Sequence, residues 1–375
     1  MMATDKLGLY VHIPYCKRKC NYCDFCSFPT GNDGVPNAYV DRLVDEILAY
    51  KSSTRRILST VYFGGGTPSL LSSEQMERIM NVISESFIVT PDAELTFEAN
   101  PGTLSAEKAN SYRKLGFNRV SLGLQSIHKI EMEKLGRIHN YESFLQSYRA
   151  LRSAGFNNIN VDLMYGIPYQ NMDSFEKTLR CVAALSPEHI SCYGLIVECG
   201  TPFYDEQDSL PLPDQDIECD MYYAASKILK EYGYSHYEIS NYSRPGFESQ
   251  HNLLYWNFDE YIGVGASAHS YYQGQRSSNT CNMDSYISAS GIKHEEEITP
   301  DSEDKRYEFA MLKLRLKDGF SLSEYEERFG TSFLKDKEEV IEKFVDLGLL
   351  DVSNGMIRLT EEGFYVSNTI LVEIL

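Results

Sequence analysis

The chain alternates short β-rich segments with amphipathic helical segments over most of its length. LGLYVHIP (7–14) and TVYFGG (60–65) have the composition of buried strands, while NAYVDRLVDEILAYK (37–51) has apolar residues at helical spacing. The order repeats up to residue 233, giving about six βα units and therefore a parallel sheet. Because a closed eight-stranded barrel needs roughly 250 residues, we expect an α/β fold with a partial (β/α)6 TIM-like barrel. A Rossmann-like open sheet is the alternative.

The composition changes after the predicted barrel domain, residues 1–233. Residues 234–298 are rich in Tyr, Gly, Ser and Asn, which indicates strands and loops packed on the barrel. Residues 299–375 show three helical segments and a hairpin, the order of a small winged-helix-like domain. DNA-binding modules of that type present a basic face, whereas this one is acidic. The acidic residues are Glu324, Glu326, Glu327, Asp336, Glu338, Glu339 and Glu342.

The net charge and the lack of long apolar runs narrow the class of protein. The 35 Lys and Arg face 54 Asp and Glu, and this net charge of −19 disfavours nucleic acid or anionic lipid as the main partner. No run reaches the roughly 18 apolar residues of a membrane span, and the N-terminus lacks a signal-peptide pattern. We therefore expect a cytoplasmic protein without stable membrane insertion.

Four of the nine cysteines lie close together after the first strand. Cys16, Cys20 and Cys23 form a C-x3-C-x2-C pattern, and three such thiolates can hold three irons of a [4Fe-4S] cluster while the fourth iron stays open to a ligand. A structural zinc site completed by Cys26 is the alternative. Against zinc, no second cysteine pair of this spacing follows, and we expect His12 to point along its strand. The scattered cysteines are expected to be small buried apolar residues: Cys181, Cys192, Cys199, Cys219 and Cys281.

The segments around these cysteines identify a family. GLYVHIPYCKRKCNYCDF, YFGGGTPSLL, FEANPG, LGLQS and VDLMYGIP occur in this order. The chain thereby resembles the radical S-adenosylmethionine (SAM) superfamily, in the branch that contains oxygen-independent coproporphyrinogen III oxidases and the haem chaperones of the HemW group. The resemblance implies that the open iron binds SAM, and that an electron from the cluster breaks a carbon–sulfur bond to give a deoxyadenosyl radical. The tail resembles the branch's C-terminal domain.

The resemblance also implies which residues hold SAM. A glycine turn lets the backbone approach a ligand closely, carboxylates and amides accept from ribose hydroxyls, and an arginine suits the methionine carboxylate. The positions that match are Tyr10, Tyr22, Gly65, Gly66, Thr67, Glu98, Gln125, Arg137 and Asp162.

Two features favour the haem chaperones within this branch. Phe25 stands where the oxidases have a fourth cysteine, and only a short segment precedes Cys16. HNLLYW (251–256) matches a motif of the HemW group, which makes His251 a candidate haem ligand, although a buried histidine is more often a hydrogen-bonded structural residue. His269 and Cys26 are further candidates. We expect a haem chaperone that serves an unknown acceptor protein and uses an unknown electron donor. Radical decarboxylation of coproporphyrinogen III propionates is the alternative.

Overall fold

The computed structural model of the protein describes residues 7–52, 56–335 and 337–375. Its first part contains β1 (Leu7–Ile13), β2 (Tyr15–Cys16), β3 (Phe28–Pro29), α1 (Asn37–Ala49), β4 (Ile57–Gly65), α2 (Ser73–Ser86), β5 (Ile88–Ala99), α3 (Ala106–Lys114), β6 (Arg119–Gln125), α4 (Lys129–Lys134), α5 (Tyr141–Ser153), β7 (Ile159–Tyr165), α6 (Met172–Ala184) and β8 (His189–Gly194). The middle part contains α7 (Pro202–Asp205), α8 (Gln215–Glu231), β9 (Ser235–Glu238), β10 (Asn241–Ser243), α9 (Gln250–Trp256), β11 (Glu260–Val264), β12 (His269–Tyr272), β13 (Gln275–Ser278), α10 (Met283–Ser288) and β14 (Glu296–Ile298). The last part contains α11 (Ser302–Lys313), β15 (Phe320–Ser321), α12 (Leu322–Phe329), α13 (Glu338–Asp346), β16 (Leu350–Ser353), β17 (Met356–Leu359), α14 (Glu361–Tyr365) and α15 (Ser367–Ile374).

One twelve-stranded sheet has the strand order β14-β13-β12-β11-β1-β4-β5-β6-β7-β8-β10-β9. The strands from β1 through β4 to β8 pair in parallel with their neighbours in chain order, as the alternating pattern predicts. The sequence did not predict that β11 would add a further parallel strand beside β1. The remaining pairs at both edges are antiparallel, so the fold is mixed α/β.

Burial and helix capping explain why these segments adopt their structures. Every residue of β6 is buried, as expected for a strand inside a parallel sheet. Helix α2 begins with a capping box in which Ser72 and Gln75 satisfy each other's backbone N–H groups. Because the parallel strands all point the same way, the loops that follow them meet at one edge of the sheet, where α/β proteins bind ligands.

The C-terminal residues form a separate three-stranded sheet, β15-β17-β16. Its core includes Phe309, Phe320 and Tyr325, which are buried. Asp336, one residue of the predicted acidic face, lies outside the described residues. In the part of the chain that the structure covers, none of the helices has the length and apolar character needed to cross a bilayer.

Candidate cofactor site

A cavity of about 520 Å³ opens where the parallel strands end. Its volume lies within the usual range for a small-molecule site, about 300–1,000 Å³. The loops after β1, β4 and α4 and the ends of β5 to β8 all contribute to its wall. The predicted cofactor residues that line it are Cys16, Cys20, Tyr22, Cys23, Gly65, Gly66, Thr67, Glu98, Gln125, Arg137 and Asp162. Tyr10 and His251 are absent from its described lining.

The loop that carries the three cysteines is held at its base and at its tip. At the base, β2 and β3 pair in parallel, and the Phe28 backbone N–H donates to the Pro14 carbonyl over 2.8 Å. At the tip, the Asn21 backbone N–H donates to the Leu135 carbonyl and the Asn21 side chain donates to the Lys134 carbonyl. The fold therefore fixes a loop that the sequence alone describes only by its spacing.

The thiols suit an iron–sulfur cluster. Burial raises the pKa of Cys16 and of Cys23, so both thiols need a cationic partner to ionise. The Thr67 hydroxyl donates to Cys16 Sγ over 3.4 Å. Within the described residues, no three His, Cys, Asp or Glu side chains converge as they would around a single metal ion. A cluster binds each thiolate through a different iron, so it requires a wider spacing of the sulfurs.

Three expectations about the other thiols and about His12 were wrong. Cys281 is exposed and forms a disulfide with Cys26, so neither is a free thiol near the three clustered cysteines. Of the remaining scattered cysteines only Cys192 is buried, because the others lie on helices or loops at the surface. His12 does not simply follow its strand, since its Nε2 lies 3.1 Å from the Cys26 carbonyl oxygen.

The glycines after β4 make a turn that packs against β1 without space for side chains. A Cβ added to Gly66 would lie 2.7 Å from the backbone N and O of Tyr15. Gly65 has φ +104°, and a Cβ there would lie 2.4 Å from the His12 ring. Only glycine fits both constraints, and the turn keeps the backbone next to the cysteine loop.

Glu98, at the end of β5, is held by the turn and by an aromatic ring. The Tyr62 hydroxyl donates to Glu98 Oε1 over 2.8 Å, and the Gly65 backbone N–H donates to Oε2 over 3.2 Å. Burial raises the pKa of Glu98 to about 7, and the charge of Asp162 adds to this effect. Its ionisation therefore changes near neutral pH.

Gln125 ends β6, and Asp162 lies in the middle of β7. Asp162 accepts hydrogen bonds from Ser121 Oγ and from Asn160 Nδ2 at 2.7–3.1 Å, and burial raises the pKa of Asp162. Gln125 has φ 71°, in the left-handed region that non-glycine residues seldom adopt. Such backbone strain is common at functional sites. The Tyr193 hydroxyl donates to Gln125 Oε1 over 3.2 Å.

Arg137 connects the cysteine loop to β5. Its Nη1 donates to Asn100 Oδ1 over 2.6 Å, and its Nη2 donates to the Tyr22 hydroxyl over 3.1 Å. Its Nε is buried and has no hydrogen-bond partner. A buried N–H without an acceptor costs free energy, so this group is suited to an anionic ligand.

His251 and Tyr10 both pack against Tyr62, which lines the cavity. The His251 ring is buried, with Nδ1 2.7 Å from Thr60 Oγ1 and Nε2 2.7 Å from the Tyr255 hydroxyl. It stacks on Tyr62 with centroids 5.0 Å apart. Both nitrogens of His251 therefore already have hydrogen-bond partners. The Tyr10 hydroxyl lies 3.0 Å from His12 Nδ1.

Sequence reasoning missed several residues of the cavity. Tyr62 and Tyr193 hold predicted residues in place, and Asn100 accepts from Arg137. His139 lines the wall, and its Nε2 is buried without a hydrogen-bond partner. Tyr62 precedes the glycine turn and Asn100 follows FEA, so their positions beside recognised motifs were the available signal. Tyr193 gave no comparable signal.

Comparisons with known proteins agree with this geometry. The model of the radical SAM superfamily matches residues 10–182, and that of the HemN C-terminal domain matches residues 301–366. Heme chaperone HemW of Lactococcus lactis is 36% identical, covering 98% of this chain and 96% of that protein. Heme chaperone HemW of Bacillus subtilis is 34% identical, covering 96% and 97%.

A solved structure supports the fold. Coproporphyrinogen III oxidase (HemN) from Escherichia coli, described as a radical SAM enzyme, superposes with a TM-score of 0.85 over 98% of this chain and 89% of that one. Its sequence is 24% identical, so this similarity concerns the fold alone. The identity to the chaperones extends over nearly the full length of both chains. The chain therefore belongs to the heme chaperone HemW family within the radical SAM superfamily.

Proposed function

We propose that this protein is a haem chaperone that holds a [4Fe-4S] cluster and SAM in the cavity, binds haem and transfers it to an acceptor protein. The main support for the proposal is that three cysteines, a glycine turn and polar residues of the parallel strands all line one cavity. The family supplies the cargo, because the relatives that match nearly the whole chain are named heme chaperones.

Each part of the wall has a role in the proposal. Cys16, Cys20 and Cys23 would hold three irons of the cluster, and the fourth iron would be left to bind SAM. Arg137 would donate to the methionine carboxylate, and the backbone of Gly65 and Gly66 would contact the methionine amino group. The other predicted residues would position the nucleoside or support the groups that do so: Tyr22, Thr67, Glu98, Gln125 and Asp162.

The chain's own groups prepare this site for a charged cofactor. The hydrogen bond from Thr67 stabilises the Cys16 thiolate, and the Gly65 N–H and the Tyr62 hydroxyl orient the Glu98 carboxylate. When bound, the cluster supplies one electron and SAM supplies the carbon–sulfur bond that this electron breaks. Turnover of SAM or the redox state of the cluster would then control haem release.

The finer architecture belongs to the same proposal. We infer that the parallel strands curve into a partial (β/α)6 barrel, because side chains from β4 to β8 face one cavity. Residues 1–233 would be the barrel domain, residues 234–298 its extension, and residues 299–375 a winged-helix-like domain. The acidic surface of that last domain suits a protein partner better than DNA.

The haem ligand is not settled by the motif HNLLYW. His251 stays a prediction, since it would have to give up its hydrogen bonds to Thr60 and Tyr255 before it could bind iron. Tyr10 likewise stays a predicted SAM contact, and it stacks on Tyr62 with centroids 6.2 Å apart. In this structure both residues support Tyr62, which holds Glu98.

Anaerobic reconstitution followed by haem titration tests the proposal. We expect the reconstituted protein to show broad cluster absorption and to bind haem, and to transfer it to an apo-haem protein more slowly without SAM and reductant. Coproporphyrinogen III, SAM and reductant are then supplied together. Formation of protoporphyrinogen would reject a chaperone-only function, whereas a colourless protein that binds zinc would reject both the chaperone and the oxidase.

A further inference from the structure

Three large apolar side chains stand exposed at the mouth of the cavity. Phe25 is 61% exposed, Ile138 61% and Ile196 67%, and all three belong to the wall. They come from the cysteine loop, the α4–α5 connection and the segment after β8, so the fold places three segments distant in the chain around one cavity. We call these three residues the apolar rim. Exposed apolar side chains that line a concave site offer apolar contact to a molecule bound there.

Cationic side chains lie beside the apolar rim. Lys17, Arg18 and Lys19 also line the mouth, in a chain whose net charge is −19. Lys19 donates to the Phe25 carbonyl, which fixes this part of the loop. Lys17 and Arg18 form no side-chain hydrogen bond or ion pair within the ranges that the structure describes.

The carboxylates of Asp24 and Glu198 share the mouth with these cations. The local balance nevertheless favours an anion, because three cations face two carboxylates there. The mouth therefore offers an apolar surface and uncommitted positive charge to a ligand that carries both an apolar face and anionic groups.

The rim also offers an imidazole. His139 follows Ile138 and lines the same wall, and its Nε2 is buried without a hydrogen-bond partner. Burial and the nearby Arg137 charge lower the pKa of His139 to about 3, so the ring is neutral at physiological pH. A neutral imidazole binds a metal through the ring nitrogen that carries the lone pair. Because Nε2 of His139 is buried, the ring has to turn toward the mouth before this atom can bind iron.

We propose that haem binds at this mouth, with its ring on the apolar rim, its propionates at Lys17 and Arg18, and His139 as the iron ligand. The inference rests on the proposed chaperone function and assigns its cargo a place. SAM fills the interior, since a cavity of about 520 Å³ suits one small ligand. A flat apolar molecule with two carboxylates then has to sit at the mouth, where its iron lies close to the cluster loop.

Haem titration of the SAM-loaded, cluster-containing protein tests this haem-binding site. The variants are Phe25→Ser with Ile196→Ser, Arg18→Glu and His139→Ala. Ile130→Ser and Lys177→Glu are matched controls, because both side chains are exposed and absent from the described cavity wall. Removing two apolar contacts should weaken haem binding at least about tenfold. Arg18→Glu should weaken haem but not haem dimethyl ester, and His139→Ala should shift the Soret band.

The haem titration distinguishes an error in the proposed haem-binding position from an error in the proposed chaperone function. If the wild type binds haem and the rim variants bind it as tightly as the controls do, the proposed haem-binding position is wrong and the proposed chaperone function is unaffected. An unchanged Soret band in His139→Ala, together with a changed band in His251→Ala, would overturn His139 as the ligand. A wild type that binds no haem would overturn the proposed position and the proposed function together.

A second inference comes from the disulfide between Cys26 and Cys281. The two Cα atoms are 6.2 Å apart, although 255 positions separate them along the chain. On one side, Cys26 closes the loop that carries the three clustered cysteines. On the other side, the segment before Cys281 is fixed by Asn279, whose Nδ2 donates to Glu46 Oε1 and to the Gly265 carbonyl. The bond ties the cluster loop to a rigid part of the sheet.

We infer that this pair is a thiol–disulfide switch on the cluster loop. Oxidation by a low-molecular-weight disulfide removes two electrons and two protons from the thiols, forms the Cys26–Cys281 bond and releases two molecules of small thiol. The reverse exchange opens it. The closed form fixes Phe25, which neighbours Cys26, and the open form lets the loop segment after Cys23 move.

Anaerobic incubation in glutathione buffers of graded redox potential tests the switch. Thiol labelling with peptide mapping should show reversible pairing of Cys26 with Cys281, and proteolysis between Cys23 and Cys26 should be at least several-fold faster in Cys281→Ser than in wild type. Cys199→Ser is the control, because that thiol is exposed and free. Free thiols at both positions under oxidising buffer, or equal proteolysis rates in the oxidised wild type and Cys281→Ser, would overturn the inference.

Discussion

The cavity and the region around HNLLYW are both rich in polar and aromatic side chains, yet the structure treats them differently. Around the motif, both nitrogens of His251 are hydrogen-bonded and its backbone N–H donates to Glu94. In the cavity, Arg137 Nε and His139 Nε2 are buried without partners. A satisfied polar group stabilises the fold, whereas an unsatisfied one at a cavity wall awaits a ligand.

The two regions differ in whether their unpartnered polar groups are open to a ligand. Trp256 Nε1 also lacks a partner, but Arg315 covers the indole ring at 4.6 Å, so that position is closed by packing. The motif region therefore supports Tyr62 and, through it, Glu98, and within the motif only Asn252 also lines the cavity. The cavity is the part that can exchange ligands.

His251→Ala should produce the largest loss of stability. The change removes a buried ring and leaves the hydroxyls of Thr60 and Tyr255 without their partner, which should lower the free energy of unfolding by about 3 kcal/mol. Chemical denaturation followed by fluorescence of Trp256, the single tryptophan, measures it. Iron content after reconstitution should stay unchanged. A stable variant that no longer takes up iron would reverse the roles of the two regions.

Gly66→Ala should weaken SAM binding in the cavity while the packing around the HNLLYW motif stays unchanged. The added Cβ meets backbone atoms of Tyr15 and Ile13 that cannot move without shifting the cysteine loop. We expect SAM affinity to fall about 100-fold, which corresponds to about 3 kcal/mol. Equilibrium dialysis with the reconstituted protein measures it, and Gly155→Ala is the control, since a Cβ there has nothing within 4 Å. Because Gly155 has φ +87°, that control reports backbone strain alone.

Tyr255→Phe tests the structural role of the motif region with a smaller change than His251→Ala. The hydroxyl is lost and His251 Nε2 becomes a buried group without a partner. The free energy of unfolding should fall by about 1–2 kcal/mol, with haem affinity unchanged. Denaturant titration and haem titration of the same preparation check both statements. A haem affinity that rises in this variant would instead support His251 as a ligand released from its hydrogen bond.

Glu98→Gln should alter the pH dependence of SAM binding. Because burial raises the pKa of Glu98 from its ordinary value of 4.5 to about 7, the ligand-free folded protein loses stability as pH rises from about 4.5 to about 7. In the folded protein the carboxylate that accepts from ribose ionises around pH 7, so SAM affinity should rise about tenfold between about pH 6 and about pH 8. The variant should show a flat profile. A wild-type profile that is also flat would remove Glu98 from the nucleoside site.

Much of the fold followed from the sequence. The alternating strands and helices predicted the parallel order of β1 and β4 to β8, because buried strands separated by amphipathic helices have few other ways to pack. The addition of β11 next to β1 was not predictable, because the pairing of this short strand depends on contacts distant in the chain.

The site was predictable where residue types are chemically specific. Three cysteines at close spacing, a glycine turn and carboxylates of the parallel strands all line the cavity. The orientation of His12 and the pairing of Cys26 with Cys281 were not predictable, since both depend on the three-dimensional course of the cysteine loop. His139 lies beside a recognised arginine, but only burial shows that its Nε2 has no partner.

The most direct measurement is the iron and sulfide content of anaerobically reconstituted wild type and Cys20→Ser, with Cys199→Ser as the control. The account predicts that wild type and control take up a full [4Fe-4S] complement and shift their absorption when SAM is added, while Cys20→Ser takes up little iron and shows no such shift. Equal iron and sulfide in all three proteins would contradict it.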